Sequence, residues 1–513
     1  MACKIKELVK NKISQIVKIK KLRGFNNPIC LKTLNRFDVK RYLVDFHEKF
    51  VLVPTDKAQN NISIVCKKFY IDCLLKEVSF SVDGKHIDSK NNTYVQTNKS
   101  INDIIEQHYK DVKKWHAVIT DDEKQLPYLY WTPKMHKHPP KQRFIAGSFC
   151  CSTKSTSAMI TLCLKLIQKS HKIYCDRIKS YTGFNFMWII NNSSELQDSL
   201  LKNGRNLKTY DFSTLYTSIP HDKLKDKLNQ LITKAFKGMN KKYIKVNKYQ
   251  AIWMSKGKGP LISCNLLIEM IGWLIDNTYV TIGNTVFQQV IGIPMGTDCA
   301  PYLANLFLFA YEFDFLNSTL KKKDFATLHK FKKCHRYIDD LLAVNNDGIL
   351  DDYKDKIYPP ELKLTSEDKN NKEVNYLDLH LKIEKSTINY RLYDKQDNFG
   401  FNIVNFPNLT GNIPTTQSYG VFISQLVRYA RCCQNLLYFK ERTLSLVERL
   451  KKQGFKFPKL CKTFTKFTRR YPHLLKKYKD FYNHDLCVLL KIGDNKKHSP
   501  SSLKTYSLIC YHF

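Results

Sequence analysis

Apolar and polar positions alternate or cycle along this chain clearly enough to predict many of its elements. Phe50-Val51-Leu52-Val53-Pro54 reads as a short strand, and the polar stretch that follows, before Ile62-Ser63-Ile64-Val65, makes residues 50–75 read as a hairpin whose turn carries Lys57. A second strand-like pair spans residues 126–148 around the basic, proline-rich turn from Lys134 to Lys141, which includes His136, and its return strand begins Arg143-Phe144-Ile145. Beyond Phe287, the turn Gly292-Ile293-Pro294-Met295-Gly296 leads into a helix with Leu303, Leu306, Phe307 and Ala310 at i, i+3, i+4, i+7 spacing. Thr297 or Asp298 can cap that helix, and Pro301 fits its first turn. Asn375 to Leu381 alternates as a strand should.

From about Ser418 the period becomes helical. Phe422, Gln425, Leu426, Tyr429 and Cys433 share one side, with Arg428 and Arg431 on the other. A second helix ends at Lys451-Lys452-Gln453-Gly454, with cations in the last turn and glycine past it. A third turns Phe464, Phe467 and Tyr471 inward while Lys462, Lys466 and Arg469 form a basic stripe. Tyr429 and Phe464 read as core rather than as base-stacking platforms. At the other end, Leu8, Val9, Ile13, Ile16 and Val17 are helically spaced among lysines, without the apolar core of a secretory signal.

Charge changes the picture most. Of 513 residues, 84 are Lys or Arg against 46 Asp or Glu, a net +38 that favours a polyanionic partner, nucleic acid first. No uninterrupted apolar run reaches the ~18 residues of a membrane span. The 16 cysteines lack zinc-ligand spacing and read as buried, reduced thiols.

The candidate chemistry is acidic. Arg336-Tyr337-Ile338-Asp339-Asp340-Leu341-Leu342 sets an aspartate pair between apolar runs, and a lone aspartate stands upstream in Thr209-Tyr210-Asp211-Phe212-Ser213. Asp pairs are common on loops, but a solvated pair needs no strand-like flanks. Three carboxylates on neighbouring strand ends repel strongly and make sense if divalent cations neutralise them. Magnesium suits such a cluster, because it takes hard oxygen ligands and shares its shell with phosphates.

Taken in order, VPTDKAQNNI, PKMHK with RFIAGS, TYDFSTLYTSIPH, GIPMGTDCAPYLANLFL, RYIDDLL, NYLDLHL and SYGVFISQLVRYARCC resemble the reverse transcriptase of Penelope-like retroelements over about residues 45–480. The resemblance implies an α+β right-hand polymerase of fingers, palm with an antiparallel catalytic sheet, and helical thumb. Its implied parts are a basic extension (1–44), fingers (45–208), palm (209–395, with the reverse-transcriptase domain at about 120–385), thumb (396–490) and short tail (491–513). The implied activity is RNA-directed DNA synthesis on an RNA template from a DNA primer or target with dNTPs. Two Mg2+ ions, with Mn2+ as a substitute, are expected on Asp211, Asp339 and the Phe212 carbonyl, with Asp340 supporting the cluster. The family's positions for substrate contacts fall on Lys57 and Arg143 at the triphosphate, Tyr216 against a 2′-hydroxyl, and Gln288 or Gln289 with Gly292 and Gly296 beneath the templating base. Arg428, Arg431, Lys462, Lys466 and Arg469 are expected to hold the duplex by its backbone. Asp378 is expected to have a structural hydrogen-bonding role.

Full-length relatives usually carry a GIY-YIG endonuclease, for which residues 491–513 leave no room, so a fragment, a degraded copy or an endonuclease-lacking form using pre-existing 3′ ends is expected. A non-catalytic nucleic-acid-binding remnant is the competing expectation, and a telomerase-like or intron-type polymerase shares the chemistry but differs in template. Nuclear action follows from the implied function, with no membrane partner.

Overall fold

The computed structural model describes residues 36–80, 93–137, 139–196, 203–366, 368, 370–401, 403–411 and 413–478. The lysine-rich helix expected near the N-terminus, His138 of the basic turn and the tail over 491–513 lie outside the described residues. Two compact units form, one from the described part of Met1–Leu52 with Ile64–Ile71, the other from Val53–Ser63 with the described part of Asp72–Phe513. In the first unit, Lys67 Nζ donates to the carbonyl of His47, in helix α1 (Arg36–Lys49), at 3.1 Å.

The expected lysine hairpin is present. Strands β1 (Phe50–Thr55) and β2 (Ala58–Cys66) pair around a two-residue turn, Asp56-Lys57, in which Lys57 takes φ 62°. The hairpin closes at Cys66, and the residues beyond it coil into α2 (Lys67–Glu77). There follow β3 (Tyr94–Gln96), α3 (Ile101–Val112), β4 (Tyr128–Lys134), β5 (Lys141–Gly147), α4 (Lys154–Thr182), β6 (Leu207–Ser213) and α5 (His221–Met239). A β-meander, β7 (Tyr243–Val246), β8 (Ala251–Met254) and β9 (Leu261–Ser263), leads to α6 (Cys264–Asp276), β10 (Tyr279–Ile282), β11 (Thr285–Gln289), α7 (Ala300–Lys321) and α8 (Phe325–Phe331). Then come β12 (Cys334–Tyr337), β13 (Asp340–Val344), α9 (Ile349–Ile357), β14 (Lys363–Thr365), β15 (Glu373–Tyr376), β16 (Leu379–Glu384), β17 (Thr387–Leu392), α10 (Gly420–Cys432), α11 (Leu436–Lys452) and α12 (Phe457–Arg470).

The strands make a five-stranded sheet ordered β3-β11-β10-β4-β5, a four-stranded sheet ordered β12-β13-β6-β14, and three-stranded sheets β15-β16-β17 and β8-β7-β9. Every pair in the four-stranded sheet is antiparallel. Its central strand β13 is apolar without alternation after Asp340, and two separate cores explain why. Leu341 and Ala343 belong to the core shared with α4, α5 and α7, whereas Leu342 and Val344 belong to the core shared with β15–β17 and the C-terminal helices. A strand covered on both faces has no polar side to show. Helix α7 is likewise buried nearly all round, Ala304, Leu308 and Phe309 joining the four expected residues.

Two local expectations need correction. Neither Thr297 nor Asp298 caps α7 with its side chain: the helix starts after Cys299, and Asp298 is drawn to Lys154 Nζ at 2.8 Å. Pro301 does sit in the first turn. Residues 375–381 are not one strand but two, β15 and β16, joined by Leu377-Asp378 with Leu377 at φ 54°. A two-residue turn leaves an alternating pattern intact, so periodicity alone does not reveal it.

The C-terminal helices match their patterns. Phe422, Leu426, Tyr429 and Cys433 are buried, Lys451 and Lys452 close α11, and Gly454 follows at φ 83°. On α12, Leu460, Thr463, Phe464 and Phe467 are buried, while Lys462, Lys466 and Arg469 are exposed. Cys151, Cys163, Cys175, Cys299, Cys334, Cys432 and Cys433 are free and buried, but Cys66 is exposed. No helix among the described residues is long and apolar enough to cross a membrane.

Phe464 is fully buried beside Phe467 at 5.9 Å. Phe464→Ala should therefore remove about 3–5 kcal/mol of unfolding free energy, read as a lower urea midpoint at unchanged slope. A loss under ~0.5 kcal/mol would instead be that of a surface ring.

Candidate functional site

The four-stranded sheet brings the three aspartates together. Strands β6 and β13 pair with Asp211 directly opposite Asp340, and β12 and β13 pair with Tyr337 opposite Asp340, leaving Ile338 and Asp339 as the turn between them. The Asp339 carbonyl accepts the Phe212 N–H at 3.2 Å, which ties the turn to the neighbouring strand. Alternation along β6 buries Tyr210 and Phe212 and exposes Asp211 between them. Asp339 and Asp340 are half-buried. Burial raises the Asp340 carboxyl to about 6, the charges of Asp339 and Asp211 push the same way, and Lys395 and Lys57 oppose them.

Beneath this turn lies a buried ion pair. Arg336 Nε donates to Glu312 Oε1 at 2.5 Å and Nη2 to Oε2 at 3.1 Å, with both side chains fully buried. Nη1 donates to Asn305 Oδ1 at 2.8 Å and to the Ile338 carbonyl at 2.9 Å, Nη2 also reaches the Asn305 carbonyl, and Tyr358 Oη donates to Glu312 at 2.9 Å. Ile338 takes φ 56°, a left-handed conformation that is unusual for a β-branched residue. The guanidinium thus grips the carbonyl of the strained residue that precedes Asp339.

The donor chemistry of the cluster suits a hard divalent cation, and a cation would relieve the mutual repulsion felt by Asp340. Among the described residues, no group of three or more His, Cys, Asp or Glu side chains is gathered closely enough to hold a metal ion. That is compatible with magnesium, which commonly takes one or two carboxylates and completes its shell with water and substrate phosphates rather than a protein cage. Phe212 itself is buried, its ring edge-on to Tyr358 at 4.8 Å.

A cationic group faces the carboxylates. At the tip of the β1–β2 hairpin, the Asp56 N–H donates to the Pro133 carbonyl at 3.0 Å, and Arg143 Nη1 on β5 lies 3.4 Å from Asp56 Oδ1. Asp56 is buried and its Oδ2 has no hydrogen-bond partner. The Lys57 ammonium is lowered, by burial first and then by Lys395 and Arg143, with Asp56 and Asp340 opposing. Lys134 is lowered by burial and by Arg143. His136 is pushed to about 4 by burial and then by Lys57, and its ring packs 5.8 Å from Phe399. Lys57 and Arg143 are therefore brought together through Asp56, which adjoins Lys57 in the chain and pairs with Arg143. Lys395, just past β17, and Asp56 were not expected; neither stands in a local pattern that marks it.

Tyr216 and the glycine turn meet beside the cluster. The Ile293 N–H donates to the Tyr216 carbonyl at 2.6 Å, and the Tyr216 phenol is raised by burial, then by Asp339 and Tyr337. Gly292 takes φ 88°, and a Cβ there would lie 2.3 Å from the Tyr216 carbonyl oxygen. Gly296, at φ 125°, would bring a Cβ within 2.2 Å of the Ala146 carbonyl oxygen. These two glycines let the loop lie against both neighbouring backbones. Gln289 is almost fully buried, donating to the Ile291 carbonyl at 2.9 Å, so it shapes this loop from inside; Gln288 is half-buried and donates to the Asp276 carbonyl at 2.8 Å.

The helical cations divide. Arg428 is held by Asp394 at 3.2 Å and approaches Asp378 at 3.9 Å, so much of its charge is met internally. Asp378 also accepts from the Cys432 thiol at 3.1 Å, in keeping with a structural role. Arg431 is exposed, and with Arg428, Asn192, Ser193 and Tyr471 it lines an open cavity of ≈ 870 Å³. Lys462, Lys466 and Arg469 form one exposed face of α12.

No protein-family model matches the chain, and no curated protein matches it. Among solved structures, telomerase from Candida albicans in complex with the TWJ fragment of telomeric RNA is similar over 86% of this chain and 70% of that one, at 11% identity and TM-score 0.53. Telomerase from Candida tropicalis with the same kind of RNA fragment (12% identity, 87% and 71% covered, TM-score 0.42) and the Sicinivirus 3Dpol RNA-dependent RNA polymerase (11%, 56% and 53%, TM-score 0.29) are looser matches. The first is a likeness of fold: the chain has a mixed helix-and-sheet, reverse-transcriptase-like polymerase fold.

Removing one partner of the buried pair should be worse than removing both. Arg336→Met is expected to cost about 3–5 kcal/mol, and the double variant Glu312→Met/Arg336→Met less, because it strands no buried charge. Urea titration of Arg336→Met, Glu312→Met and the double variant reads this, and a double-variant loss equal to the sum of the two single losses would show that the pair is not coupled.

Proposed function

We propose that this chain is an RNA-directed DNA polymerase of a Penelope-like retrotransposon, extending a primer 3′-hydroxyl with dNTPs on an RNA template. The observation that carries the reading is the cross-strand pairing of Asp211 with Asp340, with Asp339 in the adjoining turn and Lys57 and Lys395 acting on the cluster. A polymerase needs fixed carboxylates opposed by cations where a triphosphate would lie, and the telomerase-like fold is in keeping with it. At 11% identity that likeness does not choose the template.

In this reading the four-stranded sheet with α4, α5 and α7 is the palm, the β1–β2 and β4–β5 hairpins belong to the fingers, and α10–α12 form the thumb. Two magnesium ions, with manganese as a substitute, would be held by Asp211, Asp339 and the Phe212 carbonyl with Asp340 alongside, and would supply Lewis-acid polarisation and charge neutralisation. Asp211 and Asp339 fix where the primer end and the α-phosphorus meet, so that the 3′-oxygen forms its new bond as pyrophosphate leaves in line. Lys57 and Arg143 neutralise the triphosphate, Arg143 with the bidentate fork that phosphate favours. Asp56 keeps Arg143 oriented before substrate arrives. Tyr216 crowds the sugar 2′-position and favours dNTPs. Arg431 and the α12 stripe hold the duplex by its phosphates, which serves a polymerase that moves along any sequence. Such an enzyme acts on chromosomes, hence in the nucleus.

Primer extension on a primed RNA template with magnesium tests this. Asp211→Asn and Asp339→Asn should each lose ~10³-fold or more in rate, the equivalent of several kcal/mol of transition-state stabilisation. Wild-type protein that binds template yet never extends it would instead identify a nucleic-acid-binding remnant. Tyr216→Ala should raise NTP use relative to dNTP by roughly 10–200-fold; an unchanged ratio would remove Tyr216 from sugar selection.

A further inference from the structure

Between residues 240 and 263 the chain carries Lys241, Lys242, Lys245, Lys248, Lys256 and Lys258 and no Asp or Glu. This is the β8-β7-β9 meander, which lies outside the carboxylate site. Its inner face is ordinary core: Ile244 and Ile262 are buried, and Trp253 packs edge-on to Phe236 at 4.8 Å. The register puts Lys245 opposite Ile252 on one side and Leu261 on the other, so all three share the outer face. Lys245 is exposed there, and Ile252 is 41% exposed. At the β7–β8 turn, Asn247 Oδ1 accepts the N–H groups of Tyr249 and Gln250 at 2.9 and 2.8 Å, fixing a tip that presents Lys248 and a Tyr249 ring 80% exposed. Lys256 and Lys258 stand exposed in the next loop.

The neighbouring helix gives the contrast that matters. On α5, Lys223, Lys225 and Lys227 are each held by a carboxylate, Glu361 at 2.6 Å, Asp276 at 2.5 Å and Asp314 at 2.8 Å. Lys245, Lys248, Lys256 and Lys258 have no carboxylate in ion-pair reach among the described residues. A concentration of cations without internal counter-charges has its electrostatic energy met from outside, and the flat apolar and aromatic groups between them offer faces for unpaired bases. Duplex recognition would need phosphates alone and gives Tyr249 and Ile252 nothing to do.

We propose that the outer face of the β8-β7-β9 meander is a second nucleic-acid-binding surface, specific for single strands, with Lys245, Lys248, Lys256 and Lys258 on phosphates and Tyr249 stacking on a base. It goes beyond the polymerase reading and requires no catalysis. Its test is binding alone, so a failure of primer extension leaves it standing.

The measurement is fluorescence anisotropy of the full chain with labelled oligonucleotides of about 20 residues, as single-stranded RNA, single-stranded DNA and duplex, titrated between ~50 and ~200 mM salt. The quadruple variant Lys245→Gln/Lys248→Gln/Lys256→Gln/Lys258→Gln should flatten the plot of log affinity against log salt by roughly 0.7 for each single-strand phosphate that is no longer neutralised, up to about 2.8. Lys223→Gln/Lys225→Gln/Lys227→Gln, whose lysines are already neutralised, should leave the slope unchanged. Tyr249→Ala, at an exposed turn tip that does not support the core, should weaken single strands by roughly 5- to 150-fold and spare the duplex. A larger loss on RNA than on DNA makes the ligand RNA, and equal losses make it any single strand; both uphold the surface. An unchanged slope in the quadruple variant with an unchanged melting temperature overturns it, and a Tyr249→Ala loss as large on duplex as on single strands overturns the single-strand assignment.

Discussion

A guanidinium and a carboxylate, both removed from water, sit under the turn that carries Asp339, and the geometry of the acidic cluster depends on them. Burying Arg336 and Glu312 is costly, and it is tolerated because the guanidinium makes five hydrogen bonds and Tyr358 takes up a further lone pair of Glu312. A hydrophobic pair of the same volume would fill the space as well or better. What it would not do is hold the Ile338 carbonyl, which is the only one of these bonds that leaves the core and enters the turn. Ile338 is left-handed and β-branched, a conformation that costs roughly 1–2 kcal/mol and persists only where the surroundings dictate it. The buried pair therefore converts burial in the core into direction at Asp339 and Asp340.

The opposing charges come from chain segments far apart in sequence. Lys57 arrives on a hairpin tip, Arg143 on β5, Lys395 after β17, and the aspartates on β6 and the β12–β13 turn. Burial, Asp339 and Asp211 raise the Asp340 carboxyl while Lys395 and Lys57 oppose them, and burial, Lys395 and Arg143 lower the Lys57 ammonium while Asp56 and Asp340 oppose them. Asp56 is the small exception, an acid placed among the cations and paired with Arg143. The arrangement is a mutual neutralisation left incomplete.

Much of this was legible in the sequence, and the parts that were not share a physical reason. The hairpin lysine, the aspartate motifs and the three C-terminal helices are set by local periodicity and turn chemistry, and they stand in the fold as read. Strand β13 gave its burial away through an unbroken apolar run, although not the fact that its two faces serve different cores. The misses were tertiary. Asp298 looks like a helix cap until Lys154, on another helix, takes it, and Arg428 looks like a free cation until Asp394 and Asp378 surround it. Lys395 and Asp56 occupy unremarkable local sequence and gain meaning only from what the fold brings near them. Asn375 to Leu381 was misread because a two-residue turn leaves period-two alternation untouched.

That same turn recurs where the chemistry is. Asp56-Lys57, Ile338-Asp339 and Leu377-Asp378 are each two-residue connections, each carries an aspartate, and each has one non-glycine residue in the left-handed region, at φ 62°, 56° and 54°. Glycine would relieve the strain at every one of them, but it would also widen the range of backbone conformations the turn can visit. With side chains that tolerate the conformation poorly, the turns hold only because neighbours pin them: the Pro133 carbonyl for the first, Arg336 for the second, and Cys432 with Tyr393 for the third. The direction of each tip is then set by the packed core behind it rather than by the turn itself. The strain at Ile338 is thus held by the buried Arg336, whose bond to the Ile338 carbonyl fixes the direction of the turn that carries Asp339.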